Sequence, residues 1–172
     1  MQTDDWRTAL PQWQRGERTI RFLLARGRLE TLEAVSLGEA ADALLERATL
    51  RLATSQSALK LDDLDGAYST AYDAYRIAAE SLLARQALRA TGGNGSHITV
   101  EDAVSAQFVA EIPAFAKSTF EQMRRTRHSV QYFDPDAAPV TKSDAQWAID
   151  KATDALAGAR ALPARQALDG FA

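Results

Sequence analysis

The spacing of apolar residues predicts a chain built from helices. Ala40, Leu44, Ala48 and Leu52 recur every four residues, which is the repeat of one helix face. Similar patterns predict main helices over residues 18–32, 36–59, 64–90, 112–132 and 141–162, with a short helix over 99–109. No segment shows sustained apolar–polar alternation, so we expect no β-strand. About five main helices with short connections predict an all-α, up-and-down helical bundle.

Residues that start or stop helices divide this pattern. The run 91–96 is rich in glycine and ends the third helix, because glycine and asparagine tolerate left-handed backbone. Two pairs resemble capping boxes, Thr99 with Asp102 and Thr141 with Asp144. Pro163 is expected to stop the last helix. We therefore expect one helical domain over 1–172, with an N-terminal arm over 1–14 and a flexible tail over 163–172.

Composition narrows the class of protein. The 172 residues are 46% hydrophobic and 25% charged, which is typical of a soluble globular domain. A net charge of −3 gives no overall field that attracts nucleic acid. The absence of cysteine excludes disulfides and thiolate metal sites. The sequence has no run of about 18 apolar residues, so we expect no membrane span. The N-terminus is acidic and has no apolar core, so we do not expect a signal peptide. We expect a cytoplasmic protein.

The segment 123–132 concentrates the residues suited to chemistry. Its candidate site residues are Arg124, Arg125, Arg127, His128, Gln131 and Tyr132. On a helix, Arg124, His128 and Gln131 share one face, with Tyr132 at its edge and Arg127 beside it. This local basic patch on an acidic chain favours a confined phosphate site over long-range binding along a duplex.

These residue types suit RNA chemistry. Guanidinium groups bind phosphate through paired hydrogen bonds, and histidine acts as a general acid or base near neutral pH. The predicted catalytic residues are His128, Arg124 and Arg127, and the predicted substrate-binding residues are Arg125, Gln131 and Tyr132. Together they suit RNA cleavage by 2′-oxygen attack, with no metal or cofactor. The alternative is structural, because arginines at helix ends offset the C-terminal dipole.

Two further features stay open from the sequence. His97 follows the glycine-rich run and is expected to be a loop or capping residue, which joins His128 only if the fold brings this loop over the helix. Tyr68, Tyr72 and Tyr75 share a helix face. We expect them to pack in the core, with one or two hydroxyls at the edge of a groove.

The chain resembles the HEPN domain family over about residues 40–162. The likeness lies in the tyrosine-bearing segment 71–83, in the segment 88–97, and in Arg124-Arg-Thr-Arg-His128 followed by Tyr132. It is similar to short bacterial members that carry an Arg-Asn or Arg-His pair followed by Glu/Gln-Tyr. The resemblance implies a helical bundle that often dimerises. In active relatives an arginine and a histidine, four to six residues apart, meet at the dimer cleft and cut RNA without metal.

The resemblance also implies biological roles. Such domains often act as toxins or defence effectors, sometimes with a nucleotidyltransferase or antitoxin partner, and others bind nucleotide or are inactive modules. This chain departs from the active pattern, because three residues separate Arg124 from His128 and Met123 occupies the position where arginine is expected. We predict a homodimer that binds RNA or a nucleotide phosphate at these residues, and whether it is also a metal-independent endoribonuclease stays open. The alternative is a non-catalytic protein-interaction or scaffold module.

Overall fold

The chain folds as an all-α helical bundle, as the sequence predicts. A computed structural model describes residues 15–33, 36–93, 95–165 and 168. The predicted arm over 1–14 lies outside the described residues. The helices are α1 (Glu17–Ala25), α2 (Leu37–Lys60), α3 (Leu64–Arg85), α4 (Ser96–Phe108), α5 (Lys117–Gln131) and α6 (Lys142–Arg165), with a short 3₁₀ turn at Pro113–Phe115.

Helix α3 is the centre of the bundle and packs mainly against α2 and α6. It is buried along most of its length, and alanines on several of its faces let neighbouring helices approach closely. The turn before it reverses the chain through Asp62, whose φ is 62°. Asp63 then caps α3, since its carboxylate accepts a hydrogen bond from the Gly66 amide at 2.9 Å.

Two short strands correct the prediction of no β-structure. β1 (Leu29–Thr31) pairs antiparallel with β2 (Leu88–Ala90). Each strand has three residues, too few for apolar–polar alternation to stand out in the sequence. The pairing also explains why α3 ends at Arg85 and not near residue 90: after a turn through Ala87, whose φ is 59°, the backbone bonds to β1 instead.

Of the two predicted capping boxes, one is confirmed and one is wrong. Thr141 and Asp144 form the expected capping box, because the Asp144 amide donates to the Thr141 hydroxyl at 3.1 Å and the Thr141 amide donates to the Asp144 carboxylate at 2.8 Å. The box predicted at Thr99 and Asp102 is wrong. Helix α4 begins at Ser96, so Thr99 lies inside it and its hydroxyl donates to the Gly95 carbonyl at 3.2 Å.

The chain end also differs from the prediction. Pro163 does not stop α6, which continues to Arg165. The proline removes one backbone donor in the last turn, while Leu162 before it and Leu168 after it are buried and hold this segment on the core. The rest of the predicted flexible tail, residues 166, 167 and 169–172, lies outside the described residues. No helix in the described part of the chain has the length and apolarity needed to cross a bilayer.

Candidate functional site

A pocket of about 400 Å³ lies where the end of α5 meets α3 and the start of α4. Five of the six predicted site residues line it: Arg124, Arg127, His128, Gln131 and Tyr132. We call this the α5 pocket. Its volume is within the range of small-ligand sites, roughly 300–1,000 Å³. The helical spacing that places these residues on one face is therefore confirmed.

Helix α5 is positioned by its opposite face. Phe120 and Met123 are buried in the core, which turns Arg124 and Arg127 towards the pocket at half-buried positions. Arg125 lies outside the pocket lining, is largely exposed and pairs with Glu121 one turn earlier on the same helix. A role of Arg125 in substrate binding stays a prediction.

The glycine-rich loop forms the opposite wall of the pocket. Gly93 and Gly95 have φ values of 120° and 95°, a left-handed backbone that residues with a Cβ rarely adopt. Gly95 is the N-cap of α4, so the loop delivers Ser96 and His97 to the pocket from the start of that helix. The free amides at a helix N-terminus favour an anion. The prediction that this run ends the third helix is wrong, because α3 ends at Arg85 and the loop follows β2; the loop instead starts α4 and forms a wall of the pocket.

His97 is anchored in the pocket by Tyr72. The Tyr72 hydroxyl lies 2.8 Å from His97 Nδ1, and the two rings stack with centroids 5.8 Å apart. Burial raises the pKa of Tyr72 to about 12, although the Arg76, Arg127 and Arg124 guanidinium groups oppose that shift. Tyr72 therefore keeps its proton at neutral pH and holds the ring in place.

Arg124 is fixed from beneath by a buried carboxylate. Its Nε donates to Glu101 Oε2 at 3.2 Å, and the Glu101 side chain is only 3% exposed. Burial raises the pKa of Glu101, and the hydrogen bond from Arg124 opposes that rise. This contact uses Nε alone. Within the described residues, the two terminal nitrogens of Arg124 make no hydrogen bond, and its side chain is 31% exposed.

Arg127 is held by charge and ring contacts. It lies 3.6 Å from an Asp73 carboxylate oxygen, which is an ion pair longer than a hydrogen bond, and its guanidinium carbon lies 5.4 Å from the Tyr72 ring centroid. Its Nε is buried and has no hydrogen-bond partner among the described residues. The buried Nε is not accessible to a ligand, but the terminal nitrogens of Arg127, like those of Arg124, make no hydrogen bond within the described residues, and both arginines line the pocket.

The outer rim of the pocket is aromatic. The His128 and Tyr132 rings lie with centroids 4.7 Å apart at an angle of 44°, and both residues are exposed. Phe133 follows Tyr132 and is 94% exposed, and it lines a separate pocket between the end of α5 and the segment 134–140. Flat rings at the mouth of a cationic pocket provide stacking surfaces for nucleobases.

The electrostatic surroundings of His97 are predominantly positive. Burial lowers its pKa below the ordinary value, and the nearby arginines lower it further, while Asp73 opposes them. The charged groups that act on it are Arg76, Arg127, Asp73 and Arg124. His97 is therefore neutral near pH 7. Three cations around one neutral ring make this a site that favours an anionic ligand.

Sequence reasoning identifies the α5 residues but misses the wall that faces them. From the sequence, His97 joins the site only if the fold brings its loop over the helix, and the fold does so. Tyr72 provides the groove-edge hydroxyl expected among the three tyrosines. Glu101 and Asp73 carry no sequence signal, because they act through contacts between helices. No group of three or more histidine or acidic residues in the described ranges is arranged to hold a metal ion.

Comparison with known proteins gives one match. The family model described as HEPN domain matches residues 41–158, from within α2 to within α6. No curated protein and no solved structure matches the chain. The matched region covers more than half of the 172 residues and includes every residue of the α5 pocket. The bundle, the pocket and this match lead to one conclusion: the chain belongs to the HEPN domain family.

Proposed function

We propose that this protein binds single-stranded RNA through phosphate groups held in the α5 pocket. The observation that carries the proposal is the pair Arg124 and Arg127, which line one pocket with N–H donors that make no hydrogen bond to described residues. Phosphate oxygens accept such donors in pairs. The start of α4 lies on the same wall and adds backbone amides.

The rim of the pocket supports RNA rather than a free phosphate ion. Tyr132 lines the pocket, is exposed beside the His128 ring and offers a ring face on which an unstacked base rests. Gln131 lines the pocket and carries an amide suited to a base edge or a 2′-hydroxyl. A base paired in a duplex has no free face for stacking, which favours single strands as the substrate class.

We further propose that the bound RNA is cut without metal. The 2′-oxygen attacks the adjacent phosphorus, and the bond to the 5′-oxygen breaks. His128 lines the pocket and transfers a proton as general acid or base, while Arg124 and Arg127 stabilise the charge on the phosphorane. The products carry a 2′,3′-cyclic phosphate and a 5′-hydroxyl.

A homodimer is the proposed working form, as is common for HEPN domains. The observation that supports an assembly is a pair of adjacent exposed rings at the end of α5, Tyr132 and Phe133, which a second protomer would cover. A cytoplasmic toxin or defence effector, paired with an antitoxin or a nucleotidyltransferase, is the biological setting that we propose from family membership. Light scattering of the purified chain tests the dimer, and a monomer at micromolar concentration would contradict it.

The decisive experiment is a titration of labelled single-stranded RNA at several salt concentrations, with chelator present. The test variant is Arg124→Ala with Arg127→Ala. The matched control is Arg47→Ala with Arg51→Ala, which removes two exposed charges from α2. We expect the test variant to bind RNA more weakly. The slope of the logarithm of the RNA association constant against the logarithm of the salt concentration should become less steep by about 0.7 for each phosphate group that the variant no longer neutralises.

Several outcomes separate binding from folding. Thermal unfolding of each variant checks that the removal of Arg124 beside buried Glu101 leaves the chain folded. Arg127→Lys keeps the charge but removes the two-pronged donor, and we expect it to bind RNA more weakly than the wild type. An equal decrease in affinity in the test and control variants would contradict the proposal, because affinity would then follow net charge and not the pocket.

A non-catalytic interaction module is the second candidate. The observation that favours it is the spacing of Arg124 and His128, with three residues between them where active relatives have more. This candidate predicts no cleavage products and little salt-sensitive RNA binding. In that case Tyr132 and Phe133 would form part of a protein-binding surface.

A further inference from the structure

His97 and His128 are the two histidines of the chain, and both line the α5 pocket. They reach it from different elements, His97 from the start of α4 and His128 from the end of α5. Transfer of a phosphoryl group to a 2′-oxygen requires two proton transfers, one from the 2′-hydroxyl and one to the leaving 5′-oxygen. A single histidine cannot serve as base and acid in the same step.

Tyr72 prepares His97 for one of these roles. The 2.8 Å contact joins the Tyr72 oxygen to Nδ1, and Nε2 has no hydrogen bond within the described residues. When Nδ1 carries the proton and donates it to the Tyr72 oxygen, Nε2 holds a lone pair. The contact at the remote nitrogen fixes the position of the ring, and because the Tyr72 hydroxyl accepts as well as donates, the tautomer with the proton on Nδ1 is part of the proposal below.

The two histidines differ in burial and in the charged groups around them. Arg76, Arg124 and Arg127 act on His97 against a single carboxylate, Asp73, and its pKa is lowered by burial first and by these cations second. His97 therefore enters the reaction without a proton. His128 is exposed at the rim and stacks on Tyr132, where water reaches it.

We propose that His97, positioned by Tyr72, is the general base of RNA cleavage in the α5 pocket and that His128 is the general acid. This assignment rests on the proposed function. It requires a substrate with a 2′-hydroxyl next to the scissile phosphate. A strand with deoxyribose at that position should bind and stay intact.

The step balances without a further reactant. The proton of the 2′-hydroxyl moves to His97 Nε2 as the 2′-oxygen–phosphorus bond forms. The bond from phosphorus to the 5′-oxygen breaks, and the leaving oxygen takes a proton from the His128 imidazolium. Arg124 and Arg127 stabilise the equatorial oxygens. The negative phosphate also offsets the cost of placing charge on His97 among three arginines.

The test measures single-turnover cleavage against pH, using an oligonucleotide with one ribose in a deoxyribose strand and with chelator present. His97→Ala should slow cleavage by about 10²-fold or more and remove the acidic limb of the pH profile. Added imidazole should restore much of the rate. His128→Ala should also slow cleavage but keep the acidic limb. RNA binding, measured by anisotropy, should weaken less in both variants than in Arg124→Ala with Arg127→Ala, so that the loss of cleavage exceeds the loss of binding.

Further variants separate catalysis from folding. His97→Asn keeps a donor for the Tyr72 oxygen but has no base, so we expect a folded, binding and inactive protein. Cleavage by His97→Asn at the wild-type rate would overturn the assignment. Binding without cleavage by the wild type would overturn it too, while leaving the RNA-binding proposal in place. Absence of RNA binding by the wild type would overturn both.

Discussion

Tyr75 and Tyr72 lie one turn apart on α3 but belong to two different environments. The Tyr75 hydroxyl donates to the backbone carbonyl of Ala114 at 2.6 Å, and its ring packs against Phe115 and Phe120. We call these three rings the aromatic cluster. The Tyr72 hydroxyl instead meets the His97 ring in the α5 pocket. The same residue type therefore stabilises the fold at one position and positions the His97 ring at the other.

The two environments differ in what their polar atoms contact. In the aromatic cluster the single polar group has a fixed backbone partner, and burial raises the pKa of Tyr75 so that it stays neutral. In the α5 pocket, two arginines and a neutral histidine line one small volume, Arg124 is held by the buried Glu101 carboxylate, and the terminal nitrogens of both arginines make no hydrogen bond within the described residues. Satisfied polar groups indicate structure, and unsatisfied ones in a pocket indicate a ligand.

The largest expected effect is disruption of the aromatic cluster. Phe120→Ala removes a fully buried ring that contacts Tyr75 edge-on at 4.7 Å and stacks on Phe115. We expect the free energy of unfolding to fall by about 3–5 kcal/mol, because apolar burial decreases and a cavity is left behind. Chemical denaturation measures it. Tyr132→Ala, which removes an exposed ring at the end of the same helix, is the control, and an equal decrease there would erase the distinction between the two regions.

A smaller effect comes from removing one hydroxyl from each tyrosine. Tyr75→Phe leaves the buried Ala114 carbonyl without its donor and should cost about 1–3 kcal/mol of unfolding free energy. Tyr72→Phe should cost less, about 0.5–1.5 kcal/mol, because half-buried His97 can bond to water. Cleavage should show the opposite order, with Tyr72→Phe slower than Tyr75→Phe. The distinction between the two tyrosines would be contradicted if the variant that loses more unfolding free energy were also the one that cleaves RNA more slowly.

The sequence predicts local features of this molecule well and contacts between distant segments poorly. The α5 residues are grouped correctly, since helical spacing alone places Arg124, His128 and Gln131 on one face. The Thr141–Asp144 cap is predictable because both residues lie within one turn. These features need only the periodicity of the backbone.

The features that the sequence does not predict depend on tertiary structure. His97 and Tyr72 are 25 residues apart, and no pattern in the sequence joins them. The two strands form only because β1 and β2 meet in space, and α6 continues past Pro163 because Leu162 and Leu168 are buried. In each case packing decides the outcome that local propensity leaves open.

The smallest expected effect is a change in how stability depends on pH at the pocket wall. Burial raises the pKa of Glu101 above its value in the unfolded chain, near 4.5. Between these two pKa values the Glu101 carboxyl is more protonated in the native state than in the unfolded state. The unfolding free energy contributed by Glu101 should therefore be complete at low pH and decline as pH rises through that window. Glu101→Gln cannot titrate, yet its amide oxygen still accepts from Arg124 Nε.

The unfolding free energy of Glu101→Gln, relative to that of the wild type, should therefore be higher at pH 7 than at pH 4. Asp144→Asn is the control with the opposite sign, because the hydrogen bond from the Thr141 side chain lowers the pKa of Asp144. The stabilising effect of Asp144 is present above its unfolded pKa and is lost as pH falls. Denaturation curves across this range measure both differences. If the difference in unfolding free energy between Glu101→Gln and the wild type did not change with pH, the Glu101 carboxyl would be no harder to ionise than one in water. The α5 pocket would then lack the buried, unfavourably placed charge that distinguishes it from the aromatic cluster.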